Sequence, residues 1–261
     1  MKKNLFDYQS IRIFVGGISL LCIWELLALY INDEKLLPYF HTIISAISKS
    51  HSSLSPHILE TLIESIIAFM STLVLAAIFS LIMDRLKLFD IILYYPIISL
   101  QNIPKAAFAF LLVIWFGHGM KPKIATGILV AFYPIFEGFR NGLKADRTGL
   151  RSTFSLLNPK WIKMLLKVRL PESVPSILQA SKLGIAFSTV GVIIGEMAQP
   201  DKGLGFLIKQ GEDIFQTDMQ FAAVFLVSIM GIFLYVLIAL LENLPWLSRF
   251  KNPISSTIAK E

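Results

Sequence analysis

The sequence predicts an all-α integral membrane protein, a single bundle of six transmembrane helices with both termini in the cytoplasm. Of its 261 residues 55% are hydrophobic and only 16% are charged, whereas soluble domains contain roughly 45–50% apolar residues. The apolar residues form long runs, and about 20 in a row are needed to cross a bilayer core of roughly 30 Å. The single cysteine, Cys22, excludes a disulfide framework and a multi-cysteine metal site.

Six apolar runs predict the transmembrane helices, at about residues 12–31, 59–83, 89–117, 123–140, 174–197 and 219–241. The first run carries Glu25 and has no small-residue cleavage site, so we expect a retained span and not a cleaved signal. The third is too long for one straight helix and is expected to break near "LQNIPKA" (100–106). The fourth is the weakest, because Pro134 lies inside it. No linker separates domains, so residues 1–261 are predicted to form one domain.

The basic residues predict the orientation of the bundle. The net charge is +6, and lysine and arginine in short loops favour the cytoplasmic side, which explains this charge better than a nucleic-acid partner does. With both termini inside, the inner segments contain sixteen basic residues: Lys2, Lys3, Arg12, Arg85, Lys87, Arg140, Lys144, Arg147, Arg151, Lys160, Lys163, Lys167, Arg169, Arg249, Lys251 and Lys260. The outer segments contain six: Lys35, Lys49, Lys121, Lys123, Lys202 and Lys209. Lys105 and Lys182 fall inside spans.

The largest inner loop, residues 141–173, is both basic and helix-prone. Proline suits the first turn of a helix and asparagine is a good N-cap, so Asn158 and Pro159 predict a short helix that begins at Pro159. One face of this helix would carry Trp161, Met164, Leu165 and Val168, and another would carry Lys160, Lys163 and Lys167. The loop fits three roles: a helix lying on anionic lipid, a charged anchor on the inner side, and a docking site for a partner.

This loop resembles the cytoplasmic loop of permease subunits in bacterial ATP-binding-cassette importers. That loop follows the pattern E-A-A, three residues, G, nine residues, I, one residue, L-P. The spacing agrees throughout: Ser152-Thr153-Phe154 stand at E-A-A, Asn158 at G, Val168 at I, and Leu170-Pro171 at L-P. Asn158 tolerates the left-handed backbone that glycine would adopt. Ser152 replaces the glutamate, which puts any specific contact of that position in doubt.

Three further stretches resemble the nitrate/sulfonate/taurine-type branch of the same family. They are "IPKAAFAFLLVIWFGHG" (103–119), "AFYPIFEGFRNGL" (131–143) and "LPESVPSILQASKLGIAFSTVGVIIGEMAQPDKGLGFLI" (170–208). In the third, Lys182, Glu196 and the glycines at 203 and 205 stand at positions typical of the branch. The resemblance covers roughly residues 60–245.

The resemblance implies a permease subunit in the bacterial inner membrane that works with a cytoplasmic ATPase and an extracytoplasmic substrate-binding protein. The ATPase would bind ATP, so no cofactor or metal is expected in this chain. Residues 141–173, called here the coupling loop, would dock on the ATPase, with Phe154, Leu157 and Trp161 as apolar anchors. The residues expected at this contact are Ser152, Thr153, Phe154, Leu157, Asn158, Pro159, Trp161, Leu170 and Pro171. The binding protein would meet the outer loops 32–57 and 199–218. A homodimer is expected, and a second related permease is the alternative.

The transported solute expected from the resemblance is a small organic or inorganic anion, such as a sulfonate, taurine or nitrate, or a vitamin precursor. Gln101, Asn102 and Lys105 flank Pro104 at membrane depth, where polar groups and broken helices often line a pathway. Neighbouring helices could equally satisfy these groups, and Lys105 could guide an anion, extend to the interface or pair with a glutamate. Lys182 and Glu196 complete the candidate pathway, Glu196 either as an outer gate or as a structural ion-pair partner.

Two other classes compete with this interpretation. A membrane enzyme should show convergent catalytic groups, yet the four histidines and the carboxylates are scattered, and neither H-E-x-x-H nor G-x-S-x-G occurs. The G-x-x-x-x-G-K-[ST] loop for nucleotide phosphates is absent too. An autonomous secondary transporter or channel is the other alternative, and the coupling loop distinguishes it, because such a protein needs no docking site.

Overall fold

The computed structural model describes residues 3–146 and 149–242, and before Val15 it describes only the side chain of Arg12. Eleven α-helices occur in this part: α1 Lys3–Ile31, α2 Phe40–Lys49, α3 His51–Arg85, α4 Lys87–Ser99, α5 Lys105–Phe116, α6 Met120–Lys144, α7 Leu150–Ser155, α8 Trp161–Met164, α9 Leu170–Met197, α10 Leu204–Asp213 and α11 Thr217–Glu242. A 3₁₀ turn (Leu100–Asn102) extends α4, and a π-helical turn (Leu165–Arg169) joins α8 to α9. The described residues contain no strand, which confirms the all-α fold.

Three described helices are long and apolar enough to cross a membrane: α3, the continuous helix from Trp161 to Met197, and α11. Helices α4 and α5 meet at an angle of 104° and count as a fourth crossing if they form one span. The bend lies between Asn102 and Lys105, where the sequence predicts a break in the helix.

The count of six spans and the cytoplasmic termini stay predictions. The first predicted span corresponds to a shorter apolar helix, Val15–Ile31. Helix α6, the fourth predicted span, has 25 residues and runs without interruption through Pro134. Residues 1–2, 147–148 and 243–261 lie outside the described residues, so six of the basic residues used to predict orientation cannot be placed: Lys2, Arg147, Arg249, Lys251, Lys260 and, for its side chain, Lys3.

Helices α3, α6 and α9 form the centre of the bundle, and α6 and α9 run antiparallel in close contact. The contact is close because small residues face each other. A β-carbon at Gly191 would lie 2.7 Å from the Cα of Gly127, and one at Gly195 would lie 2.7 Å from the Cα of Lys123. Close approach of this kind stabilises helix pairs in lipid through van der Waals packing.

Apolar side chains fill the centre and also cover the outside. Phe69, Phe132, Ile135, Phe136 and Ile185 belong to one buried cluster between α3, α6 and α9. On α11, large apolar side chains such as those of Ile232, Phe233 and Leu240 are exposed. An apolar exterior suits lipid, because acyl chains are as apolar as leucine.

The central helices give the bundle two ends. At one, called here the loop end, the C-termini of α3 and α6 meet the residues that lead into α9. At the other, the α10 end, the N-terminal parts of α3 and α6 meet the end of α9 and the start of α10.

Candidate functional site: the coupling loop and a cavity beside it in the bundle

The coupling loop starts with a capped turn of helix. Gly149 adopts φ +70° before α7, and the Asp146 carboxylate accepts hydrogen bonds from the backbone N–H groups of Arg151 and Ser152, both at 3.1 Å. The Ser152 hydroxyl also donates to Asp146. The hydrogen bond from the Ser152 hydroxyl, together with those from the two backbone N–H groups, holds the pKa of Asp146 below its ordinary value. Ser152, at the position of the family's glutamate, therefore helps to cap α7.

The second helix of the loop begins later than predicted. Asn158 has φ +45°, a left-handed conformation, whereas an N-cap residue usually has extended dihedrals. Helix α8 instead starts at Trp161, with Lys160 in the preceding position at φ −57° and ψ 141°. The predicted N-cap at Asn158 and helix start at Pro159 are thus wrong by two residues. The expectation that Asn158 could take a left-handed backbone is confirmed.

One face of the loop is attached to α3. The Trp161 indole N–H donates to Asp84 Oδ2 at 3.2 Å, and the Arg169 guanidinium forms an ion pair with the same carboxylate. The Arg85 guanidinium carbon lies 5.3 Å from the Trp161 ring centroid. Met164, Leu165 and Val168 are buried and Lys160, Lys163 and Lys167 are exposed, so the two predicted faces of this helix are confirmed. Trp161 packs against the bundle and does not point outward as an anchor.

The free face of the loop carries a different apolar group. Leu156 and Leu157 are 84% and 73% exposed, next to the exposed Lys160 and to Asn158. Ser152 and Thr153 are also exposed, whereas Phe154, Pro159, Leu170 and Pro171 are half-buried. Of the three predicted anchors, Leu157 is the one with a freely accessible side chain, and Leu156 was not anticipated.

A cavity of about 620 Å³ lies beside the α4–α5 bend, against α6 and α9. Two of the predicted pathway residues, Gln101 and Lys105, line it. The Lys105 ammonium donates to the Gln101 carbonyl oxygen one turn earlier. Asn102 is exposed in the 3₁₀ turn and is not among the lining residues. The full lining is Leu100, Gln101, Lys105, Leu129, Val130, Tyr133, Pro134, Glu137, Gly138, Asn141, Ser176, Gln179, Ala180, Leu183 and Phe187.

Sequence reasoning missed Glu137, which lines this cavity from α6. Its Oε2 atom is buried and has no hydrogen-bond partner among the described residues. The signal was present, because a carboxylate inside a predicted span is a functional candidate by default. Tyr133 and Asn141 on α6 and Gln179 on α9, also missed, add polar groups to the same cavity.

The other two pathway candidates lie away from the cavity. Lys182 forms an ion pair with Glu242 at the end of α11. Glu196 is completely buried at the α10 end. The structure therefore brings Gln101 and Lys105 together and separates them from Lys182 and Glu196.

Glu196 caps the N-terminus of α10. Its carboxylate accepts a hydrogen bond from the Gly205 N–H at 2.7 Å and another from the Thr61 hydroxyl at 2.7 Å. Thr61 Oγ1 in turn accepts the Leu204 N–H at 2.8 Å. Gly203 has φ +116°, and a β-carbon there would collide with the Glu196 carboxylate. The arrangement satisfies two N–H groups that a helix start leaves unpaired.

Lys123 joins the same end of the bundle and was predicted to lie in an outer segment. Its side chain is completely buried, and the ammonium lies 3.2 Å from Glu64 Oε1 and 3.3 Å from Asp201 Oδ2. It also donates to the Lys202 carbonyl at 2.9 Å. Nearby, the Gln199 side chain exchanges two hydrogen bonds with the Gly119 backbone, at 2.9 and 3.0 Å. The segment between α9 and α10 is thus held to α3 and α6.

The described residues contain no group of three or more His, Cys, Asp or Glu side chains placed to hold a metal ion. The polar groups of the cavity come from the α4–α5 bend, α6 and α9.

Comparison with known proteins places this arrangement in a family. Residues 72–244 match the family described as "Binding-protein-dependent transport system inner membrane component". The formylaminopyrimidine transport permease protein of Halalkalibacterium halodurans is 28% identical over 94% of this chain and 98% of its own length. The riboflavin transport system permease protein of Chloroflexus aurantiacus is 30% identical, over 55% of this chain and 54% of its own.

The taurine transport system permease protein of Escherichia coli is 28% identical, over 58% of this chain and 56% of its own. The family match covers more than half of the sequence. The chain therefore belongs to the binding-protein-dependent transport system inner membrane component family, as a multi-pass inner-membrane permease of an ATP-binding-cassette importer for a small solute.

Proposed function

We propose that the solute passes along the cavity beside the α4–α5 bend and that the partner ATPase docks on the free face of the coupling loop. The observation that supports docking most strongly is the pair of exposed leucines, Leu156 and Leu157, on a loop whose opposite face is attached to α3. A protruding apolar pair gives a partner groove an anchor. The neighbouring lysines would speed encounter and orient the contact.

The attachment of the loop allows motion of the ATPase to reach the helices. Asp84, near the end of α3, contacts Trp161 at the start of α8 and Arg169 at the end of the π-helical turn that leads into α9. A push on Leu156 and Leu157 would thus be transmitted to both α3 and α9. ATP binding and hydrolysis belong to the partner, and this chain supplies the moving pathway without covalent chemistry of its own.

The proposed assembly contains two copies of this chain, because two ATPase subunits need two coupling loops and one bundle supplies half of a pathway. The substrate-binding protein would contact loops 32–57 and 199–218 at the opposite side. The fixed segment 199–203 supports this placement, since a docking surface benefits from a rigid backbone.

The solute is proposed to be a small organic molecule of the kinds carried by the relatives. Those proteins are named for formylaminopyrimidine, riboflavin and taurine. A cavity of about 620 Å³ is within the range of small-molecule sites, roughly 300–1,000 Å³.

Copurification from the native host tests the docking surface. The tagged wild-type chain should recover an ATP-binding-cassette ATPase at a near one-to-one ratio. The double variant Leu156→Asp/Leu157→Asp should insert into the membrane normally and lose the ATPase, because two carboxylates would replace the apolar anchor. Leu36→Asp is the matched control, since Leu36 is an exposed leucine between α1 and α2, away from the loop end.

Unchanged ATPase recovery by the double variant would contradict the docking assignment. If even the wild-type chain recovered no ATPase after mild crosslinking, the loop would be an anchor only. The alternative of an autonomous transporter would then gain support.

A further inference from the structure

Glu137 is a half-buried acid with one oxygen that the described part of the bundle leaves unpaired. Its Oε2 atom is buried and has no hydrogen-bond partner among the described residues, although Glu137 lines the cavity beside the α4–α5 bend. The arginine one turn further along α6, Arg140, binds Asp90 at 3.0 Å. Arg140 also stacks on Tyr94, 3.8 Å from the ring centroid. Ionisable groups at membrane depth are costly, so those that persist usually meet water, a partner or a transported solute.

Lys105 places the opposite charge on the same cavity. Its ammonium donates to the carbonyl oxygen of Gln101, which carries no formal charge. No described carboxylate lies within ion-pair distance of Lys105, whereas Lys123 and Lys182 are both paired with acids. Lys105 is at the start of α5 and Glu137 is on α6, so the cavity carries a cation and an anion on separate walls.

The remaining polar lining can both donate and accept hydrogen bonds. The amides of Gln101, Asn141 and Gln179, the phenol of Tyr133 and the hydroxyl of Ser176 line the same cavity, and amides, phenols and hydroxyls serve both roles. Phe187 adds an aromatic surface. The formal charge of the lining sums to zero, with one lysine and one glutamate among fifteen residues.

This charge distribution distinguishes among small solutes. A simple anion such as nitrate or an alkyl sulfonate would be attracted by Lys105 and repelled by Glu137. A solute with an amino group at one end and an acceptor or anionic group at the other would satisfy both side chains. Charge-assisted hydrogen bonds of this kind are roughly twice as strong as neutral ones.

We propose that the cavity recognises amino-bearing solutes, with Glu137 accepting from the amino group and Lys105 donating to an acceptor or anionic group, and that it disfavours simple anions. Aminopyrimidines and amino-sulfonates belong to the favoured class. The inference rests on the proposed function, in which this cavity is the solute pathway.

Matched probe pairs test the proposal on the purified full-length chain. Taurine and ethanesulfonate differ by one amino group. An aminopyrimidine and the same ring with methyl in place of amino form the second pair. Binding is measured as the ligand-dependent shift of thermal unfolding at millimolar probe. In at least one pair the amino-bearing member should bind about tenfold more tightly, as expected for a hydrogen bond to a charged group.

Substitutions at Glu137 test whether its carboxylate causes the tighter binding of amino-bearing probes. Glu137→Gln should abolish the difference within the pair, and Glu137→Asp should retain it, which keeps the test valid if the glutamine variant folds poorly. Glu212→Gln, which changes an exposed acid on α10 outside the cavity, should behave as wild type. The proposal is overturned if neither pair is discriminated, if no amino-bearing probe binds, or if the preference survives in Glu137→Gln.

Uptake measurements separate failure of this proposal from failure of the pathway assignment. Wild-type uptake kinetics of the complete importer with Lys105→Ala would remove the cavity from the pathway. Altered uptake with that variant, together with equal binding of both members of each pair, would keep the pathway and reject recognition of the amino group.

Discussion

The two ends of the bundle hold their connecting segments in opposite ways. At the α10 end the segment between α9 and α10 is bound through Gln199, Asp201, Lys202 and Gly203, and Lys123 is completely buried beneath it. At the loop end, the segment between α6 and α9 contacts α3 through the Asp84 carboxylate and the Arg85 guanidinium, and it leaves several large apolar side chains exposed, Leu156 and Leu157 most of all. The comparison separates a connecting segment that is bonded within the chain from one that offers free apolar surface to a partner.

The reason for the difference lies in the kind of group that each segment meets or carries. Lys123 brings a charge into the interior, and a buried charge must be paired and hydrogen-bonded to be tolerated. The chain therefore surrounds it with Glu64, Asp201 and a backbone carbonyl. Leu156 and Leu157 need no such partners, so the fold can leave them free for a contact between proteins.

Removing the charge of Lys123 should have the largest effect on the α10 end. In Lys123→Met the completely buried Glu64 loses its ion-pair partner. Breaking a buried pair in this way costs about 3–5 kcal/mol. Thermal unfolding in detergent should show a strongly destabilised or aggregating protein. Lys121→Met, at an exposed site two residues earlier, is the control, and equal stability of the two variants would contradict the account.

Two glycines with positive φ sharpen the comparison. Gly203→Ala should cost about 1–3 kcal/mol of stability through backbone strain, plus the collision of its β-carbon with the Glu196 carboxylate. Gly149→Ala has φ +70° but open space around the β-carbon, so its cost should be near 1 kcal/mol, from the left-handed backbone alone. Denaturant titration of both variants measures the difference. A larger loss at Gly149 would show that the loop end is the more tightly packed one.

Asp84→Asn should loosen the loop end without disturbing the α10 end. The variant loses the ion pair with Arg169 and weakens the bond from Trp161, and hydrogen bonds to charged groups contribute about 1.5–3 kcal/mol. Limited trypsin digestion should then cleave faster after Lys160 and Lys163. Asp90→Asn, which affects a carboxylate bound by Arg140, should leave that cleavage rate unchanged. An equal increase of the cleavage rate in both variants would mean that the contacts of Asp84 do not fix the loop in place.

The smallest expected effect is a pH dependence of the α7 cap. Hydrogen bonding keeps the pKa of Asp146 below its ordinary value of 3.8. A lowered pKa means that the cap is stabilising above that value and is lost as the pH falls through the lowered pKa. Amide hydrogen exchange of Arg151 and Ser152, corrected for the intrinsic rate, should lose protection in acid. Ser152→Ala should shift that loss to higher pH, and an unshifted profile would rule out the hydroxyl bond as its cause.

Much of the fold followed from local pattern. The apolar runs predicted the helices, and Pro104 within "LQNIPKA" predicted the bend between α4 and α5, because proline cannot donate a backbone hydrogen bond. The helical spacing of Met164, Leu165 and Val168 identified the buried face of the coupling loop. The periodicity of apolar residues and the effect of a proline depend only on residues close together in the chain. They can therefore be recognised in a single sequence.

The contacts that distinguish the two ends depend on distant parts of the chain. From the sequence, Lys123 is expected to be a loop charge; in the structure it is paired with Glu64 and Asp201, which are 59 and 78 residues away in the chain. Trp161 is expected to be an exposed anchor, but in the structure it donates a hydrogen bond to Asp84. The start of α8 was misplaced because a left-handed asparagine and an N-cap asparagine look identical in sequence. Glu137 could have been found, since a lone acid inside an apolar run is visible without a structure.

Site-specific crosslinking tests the central claim, that the loop end is the surface the ATPase binds. Cys22 is the chain's single cysteine. Cys22→Ser therefore removes the only native thiol, and a single cysteine introduced at a chosen position is then the only one that can react. Leu157→Cys at the loop end and Gln210→Cys on the exposed surface of α10 are compared in native membranes with a short bifunctional reagent. The account predicts a crosslink to the ATPase from position 157 and none from position 210. A crosslink from position 210, or the absence of one from position 157, would contradict it.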